Sequence, residues 1–192
     1  MAESQRSVRL FIAIPLSEGI RDRLSVFQEK LKKAVPNEKV SWVLPFNIHL
    51  TLKFLGETEN SKIDKVKKKM FDAAKNISGF TVQIKNCGVF PDPKRPRVIW
   101  VGCIDNTGNL AEISKRLNSS LRSIGFEKEK KSFNPHLTIG RIRYLKDRPG
   151  SLEYIISEDV DFDRMQVKEI RLIKSRLLSS GAEYETLDRV LL

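Results

Sequence analysis

The chain contains two histidines, and each opens the same phrase: His49-Leu50-Thr51 and His136-Leu137-Thr138. The flanks agree too, Asn-Ile-His-Leu-Thr-Leu-Lys-Phe-Leu-Gly at 47–56 and Asn-Pro-His-Leu-Thr-Ile-Gly-Arg at 134–141. The surrounding order of elements repeats with the phrase. Strand, helix and His-Leu-Thr strand are read at 8–14, 17–34 and 47–54, and again at 97–103, 107–124 and 134–141. A supersecondary unit that recurs with its motif in the same place predicts two related lobes about a pseudo-two-fold axis. The cleft between them would receive one histidine from each.

The individual elements follow from periodicity and punctuation. A β-rich run at 8–14 ends at Pro15, and Ser17 can cap a helix whose apolar residues Ile20, Leu24, Phe27 and Leu31 fall at helical spacing. Pro36 bounds it. Ser61-Lys62-Ile63-Asp64 reads as a capping start for a second helix with the stripe Ile63, Val66, Met70, Ala74 and Ile77, ended by Gly79. Leu110, Ile113, Leu117, Leu121 and Ile124 mark a third, with Gly125 at its end. Further strands are expected at 80–84, 97–103, 133–141, 165–174 and 184–191, with a polar stretch at 146–150.

At 192 residues with 40% hydrophobic content, the chain suits one bilobal domain over 1–192. No apolar run approaches the ~20 residues that cross a bilayer, so no membrane is expected. Residues 1–6 carry no signal-peptide core, and the expected location is the cytoplasm. Cys87 and Cys103 stand alone, without the spacing of a zinc knuckle or a disulfide framework, and read as buried thiols in a reducing compartment. The net charge of +11 fits a polyanionic partner, a nucleic acid or a phosphate, without identifying it, and fits a solvated surface equally well. Single lysines in the runs at 65–69 and 128–131 read as solvated surface. Nothing marks an obligate partner surface, so a monomer is expected.

Side chains alternate along a strand. That sets Ile48, Leu50, Leu52 and Phe54 toward the helices, and Asn47, His49, Thr51 and Lys53 toward the open face. In the second motif Leu137 and Ile139 pack inward while His136 and Thr138 stay open. Two imidazole–hydroxyl pairs suit a phosphodiester. One imidazole takes a proton from the attacking water or hydroxyl and the other gives one to the leaving oxygen, while the hydroxyls bind the non-bridging oxygens. No cofactor is called for, and no His/carboxylate cluster suggests a metal. Arg141 could clamp a phosphate, but strict alternation places it with Leu137 and Ile139 unless a bulge at Gly140 turns it. Lys53 is either a phosphate contact or a solvated edge lysine. The proline-rich loop at 90–97 carries an aromatic and three cations, ending in Arg97. It either guides an RNA terminus or forms a rigid connection.

With these motifs the chain resembles the 2H phosphoesterase superfamily and, within it, the RNA 2′,3′-cyclic phosphodiesterases, also called 2′-5′ RNA ligases. The resemblance runs through 9–15, Trp42 and Pro45, the two motifs, 95–100 and 181–184. It implies an α+β fold with two pseudo-symmetric lobes of antiparallel sheet, helices on the outer faces and a central positively charged cleft. It implies hydrolysis of an RNA 2′,3′-cyclic phosphate end to a 2′-phosphomonoester, with His49 as proton donor and His136 as acceptor. Thr51 and Thr138 would hold the phosphate, assisted by Arg141. Apart from the resemblance, Lys53 by its parity and Arg97 by its place on the proline loop are candidate substrate contacts. A 5′-hydroxyl end in place of water would give a 2′-5′ linkage without ATP. Phe46 stands where similar proteins often carry a polar residue. Two other readings remain open. One is a relative acting on 2′-5′ oligonucleotides or small cyclic nucleotides. The other is a non-catalytic RNA-end-binding module.

Overall fold

The computed structural model describes residues 7–129, 131–146, 153–156, 159–179 and 181–192. The N-terminal residues 1–6 and most of the polar stretch at 146–150 therefore lie outside the described residues. In chain order the elements are β1 (Ser7–Pro15), α1 (Glu18–Ala34), β2 (Lys39–Trp42), β3 (His49–Glu59), α2 (Ile63–Ala74), β4 (Phe80–Phe90), β5 (Val98–Ile104), α3 (Asn109–Arg122), β6 (His136–Tyr144), β7 (Asp161–Val167), β8 (Glu169–Leu178) and β9 (Gly181–Leu191).

The helical stripes bury as their spacing dictates. Ile20, Leu24, Phe27 and Leu31 are buried on α1, and Leu110, Ile113, Leu117 and Leu121 on α3. Ser17 occupies the N-cap of α1 but makes no side-chain capping bond; Glu18 at the start and Lys32 and Lys33 at the end complement the helix dipole. The start expected at Ser61 is a 3₁₀ turn, Asn60–Lys62, again without a side-chain cap. Ile77 is buried although it lies beyond the end of α2. The single strand expected over 165–174 is two, β7 and β8, broken at Lys168, whose carbonyl accepts the Leu192 amide at 2.9 Å. β2 has no counterpart in the sequence reading, since four residues give too short a run for periodicity to show.

All pairings among the described strands are antiparallel, and the sheet order is β9-β8-β1-β3-β6-β5-β4-β7, with β2 attached to β6. The order is palindromic. Exchanging β3 with β6, β1 with β5, β8 with β4 and β9 with β7 maps one half onto the other. The two lobes are thus halves of one curled sheet. They meet through a ladder one pair long, Leu50 opposite Leu137.

Helices strengthen that narrow seam by crossing it. α1, which follows β1 of the first lobe, packs on β7 of the second, with Phe27 edge-on to Phe162 at 5.2 Å. α3, which follows β5 of the second lobe, packs on β3 of the first, and α2 lies beside α3. One continuous core fills the space between helices and sheet. The opposite face is left open around the seam.

Candidate active site

The two motifs begin the two strands that form the seam. Extending the Leu50–Leu137 register by one residue either way sets His49 opposite Thr138 and Thr51 opposite His136. Leu50 and Leu137 are fully buried, while the two histidines and two threonines are partly exposed. Each imidazole therefore shares the open face with both hydroxyls, and its register partner is the threonine of the other motif.

The imidazoles are oriented alike. His49 Nδ1 lies 2.7 Å from the Asn47 carbonyl and His136 Nδ1 lies 2.7 Å from the Asn134 carbonyl. A carbonyl oxygen only accepts, so both rings carry their hydrogen on Nδ1 and leave Nε2 for proton transfer.

Beyond the threonines, alternation breaks in the same place in both lobes. Between β1 and β3 the register shifts so that Leu52 is an extra residue; between β5 and β6 it shifts so that Ile139 is extra. A bulge of this kind reverses the parity of the residues after it. This corrects the sequence reading for Lys53 and Phe54 and, for Arg141, selects the bulge that the reading offers as an alternative. Lys53 turns inward and is 4% exposed; its Nζ donates to Asn118 Oδ1 at 2.9 Å and the Glu127 carbonyl at 2.7 Å, with Glu129 Oε1 at 3.5 Å. It is neither a solvated edge lysine nor a cation left free for a phosphate. It fastens β3 to α3 and to the segment before β6. Phe54, expected in the core, is turned out to the open face. At the matching step of the second motif Gly140 turns in and Arg141 turns out. A Cβ at Gly140 would lie 3.1 Å from Val40 Cγ1 and 3.2 Å from Trp42 Cε3, so β2 packs where a larger residue would push it off. The bulge moves Arg141 onto the open face, close enough to His49 for its charge to act there.

Each bulge is secured from behind. The Ile139 carbonyl accepts from the Val43 amide at 3.0 Å and from buried Gln28 Nε2 of α1 at 2.8 Å. The Leu52 carbonyl accepts from buried Ser114 Oγ of α3 at 3.4 Å. A crossing helix thus supplies the donor at both bulges.

The surroundings of the two histidines differ. His49 stacks on Phe11 with centroids 4.6 Å apart, and Tyr184 stands edge-on to it at 5.4 Å. Phe11, Ala13 and Ile173 form a small apolar cluster on this face, separate from the main core. Asn47, whose carbonyl orients His49, also donates through Nδ2 to the Ala182 carbonyl at 2.7 Å and so fixes the start of β9, which carries Tyr184. Burial, reinforced by the Arg141 charge, holds the His49 pKa below its ordinary value against the opposing bond to Asn47. His136 instead meets Phe90 edge-on at 5.0 Å, and Phe90 stacks on Trp100 at 5.1 Å. The sequence reading did not single out Phe11 or Tyr184 as site residues. The signal available for Phe11 was the unbroken apolar run 10–14, which marks a strand covered on both faces.

A cavity of about 860 Å³ adjoins His49, with Phe46, Arg21, Arg171 and Tyr184 in its walls. Another of about 810 Å³ adjoins His136 and Thr51, walled in part by Phe54, Phe90, Phe133 and Arg97. Arg97 is exposed there at the end of the proline loop. Neither Cys87 nor Cys103 is in a disulfide; Cys103 is buried, as expected of both, and burial pushes its thiol far up, whereas Cys87 is only half-buried. Among the described residues no three His, Cys, Asp or Glu side chains gather in a way that could hold a metal ion. No helix among them is long and apolar enough to cross a membrane.

Comparison with known proteins agrees with this geometry. The RNA 2′,3′-cyclic phosphodiesterase of Methanocaldococcus jannaschii is 35% identical over 181 residues, 94% of this chain and 98% of its own. That of Thermotoga maritima is 35% identical over 182 residues, covering 94% and 93%. Among solved structures, TT0787 of Thermus thermophilus superimposes with a TM-score of 0.81 at 25% identity, covering 96% and 97% of the two chains. Escherichia coli LigT complexed with 3′-AMP gives 0.80 at 26% identity, covering 97% and 98%. The sequence model described as LigT like phosphoesterase matches twice, over 14–100 and 101–184, so that each match contains one His-Leu-Thr motif. The chain belongs to the LigT-like phosphoesterase family.

Proposed function

We propose that this protein hydrolyses RNA 2′,3′-cyclic phosphate ends to 2′-phosphomonoesters without a metal. The observation that carries the reading is the paired anchoring of His49 and His136, each with Nδ1–H on a carbonyl two residues earlier and Nε2 left free on the open face. Water attacks phosphorus and gives its proton to His136 Nε2. The bond from phosphorus to the 3′ oxygen breaks, and His49 supplies the proton that oxygen needs. Thr51, Thr138 and Arg141 bind the non-bridging oxygens, whose charge grows on the way to the transition state. The names of the related proteins from Methanocaldococcus jannaschii and Thermotoga maritima support the same substrate.

Burial and the Arg141 charge hold the His49 pKa below its ordinary value and so favour the neutral ring in the free protein. A bound phosphodiester brings a negative charge that offsets the guanidinium, so His49 gains its proton together with the substrate. The lowered His49 pKa equally favours a second reading in which His49 is the base and His136 the donor. With a 5′-hydroxyl RNA end in place of water, the same site would form a 2′-5′ linkage.

The test is an RNA ending in a 2′,3′-cyclic phosphate, incubated with the protein in EDTA and followed by phosphorus NMR. A 2′-phosphomonoester is expected. A 3′-phosphomonoester would reverse the leaving-group assignment, and loss of turnover in EDTA would point to a metal enzyme.

A further inference from the structure

The open face of the first lobe carries a cation that the reaction above leaves unused. Arg9 on β1 is the register partner of Ser175 on β8, and Ser175 is that of Tyr184 on β9, so the three stand in one row across the sheet. At ~4.8 Å per strand their backbones are about 10 Å apart, within joint reach of a guanidinium and a phenol. Arg9 is exposed, and among the described residues it has no ion-pair partner. Its partner on the other side, Glu57, instead accepts from the Ser7 hydroxyl at 3.4 Å. Arg9 and Arg141 both act on the Tyr184 phenol, favouring its anion against the effect of burial. Burial is the larger effect and raises the phenol's pKa, but the guanidinium charge that reaches its oxygen would equally reach a phosphate oxygen placed beside it.

This cation stands on the far side of Phe11 and His49 from the Thr51 hydroxyl, and so flanks the reacting phosphate. Ala13 is the register partner of Thr51, and Arg9 lies four residues before it, about 13 Å along the strand. The chemistry says what belongs there. Both ester oxygens of a 2′,3′-cyclic phosphate sit on one ribose, so the body of the RNA stays on the side of the oxygen that leaves. With His49 as donor, that side is the first lobe.

We propose that Arg9 and Tyr184 form a second anion subsite, which seats the phosphodiester immediately 5′ of the reacting cyclic phosphate. The subsite makes the protein a reader of oligonucleotide ends rather than of single nucleotides. It rests on the phosphodiesterase reading above.

The test compares a nucleoside 2′,3′-cyclic phosphate lacking a 5′ phosphate with a dinucleotide ending in the same group. The native protein should prefer the dinucleotide. Arg9→Met should cost about tenfold in kcat/KM on the dinucleotide, chiefly through KM, the loss expected for one charged hydrogen-bond partner. Turnover of the mononucleotide should be unchanged. Arg9→Lys should fall between, because charge without the guanidinium fork restores only part of the contact. If Arg9→Met leaves the dinucleotide unaffected, or slows both substrates equally, the subsite is overturned while the phosphodiesterase reading stands. Turnover of neither substrate by the native protein overturns both.

Discussion

A carbonyl two residues upstream fixes the tautomer of each histidine, and the chemistry at residue scale follows from the Nε2 atoms this leaves free. His49→Ala and His136→Ala should each lose ~100–10,000-fold in kcat, the usual contribution of one general acid or base. Thermal unfolding should move little, since both rings are only partly buried. A substrate with sulfur in place of the 3′ oxygen separates the roles, because a thiolate leaves without protonation. It should restore turnover to His49→Ala and leave His136→Ala inactive; the opposite pattern exchanges donor and base. A chain with two histidines also makes their titration easy to follow by NMR. His49 should titrate below the ordinary ~6.5. Arg141→Met removes one of the influences that disfavour the cation, so the His49 midpoint should rise without returning fully, because burial remains the larger cause. A midpoint that does not move would separate Arg141 from His49.

At the scale of elements, the two bulges decide which side chains reach the site. Their carbonyls are held by helices that cross the seam, which makes the helix donors testable. Gln28→Leu removes the bonds to the Ile139 and Val43 carbonyls, both 2.8 Å; the Ile139 carbonyl keeps the Val43 amide while the Val43 carbonyl loses this donor, and the change should cost about 1–3 kcal/mol in chemical denaturation. Ser114→Ala loses one longer bond and should cost less, about 0.5–1.5 kcal/mol. Equal effects, or none, would mean that the bulges hold themselves. These bulges also mark the limit of what could be read in the sequence. The repeated strand, helix and His-Leu-Thr order was legible because hydrophobic period and motif recur together, and α1 and α3 carry buried stripes at the expected positions. Strand parity was legible as far as Thr51 and Thr138. Two residues later it failed, because a bulge has no period of its own. Lys53 turned in, Phe54 turned out, and Arg141 reached the open face only because Gly140 takes the crowded inward position beside Val40. The aromatic setting of His49 was hidden for another reason: Tyr184 lies 135 residues from His49 and meets it through long-range contacts, the pairing of β9 with β8 and β8 with β1 and the Asn47–Ala182 bond.

For the whole molecule, a net charge of +11 must either serve substrate capture or do no more than keep the surface solvated, and ionic strength distinguishes the two. Single-stranded RNA releases its condensed cations as phosphates are neutralised, so log affinity falls against log salt with a slope of about −0.7 per phosphate contacted. The chemical step should not share this dependence. In the proposed reaction it would use imidazoles held by short bonds on the open face, which salt does not weaken. Turnover of a cyclic-phosphate oligonucleotide should therefore show KM rising steeply with salt while kcat stays level. Lengthening the RNA one nucleotide at a time should steepen the slope of kcat/KM by about 0.7 for each phosphate that finds a cation, and then stop. The length at which it stops measures how far the basic surface follows the strand away from the seam. A slope that is shallow at every length would confine RNA recognition to the reacting phosphate and leave the remaining cations as surface charge alone.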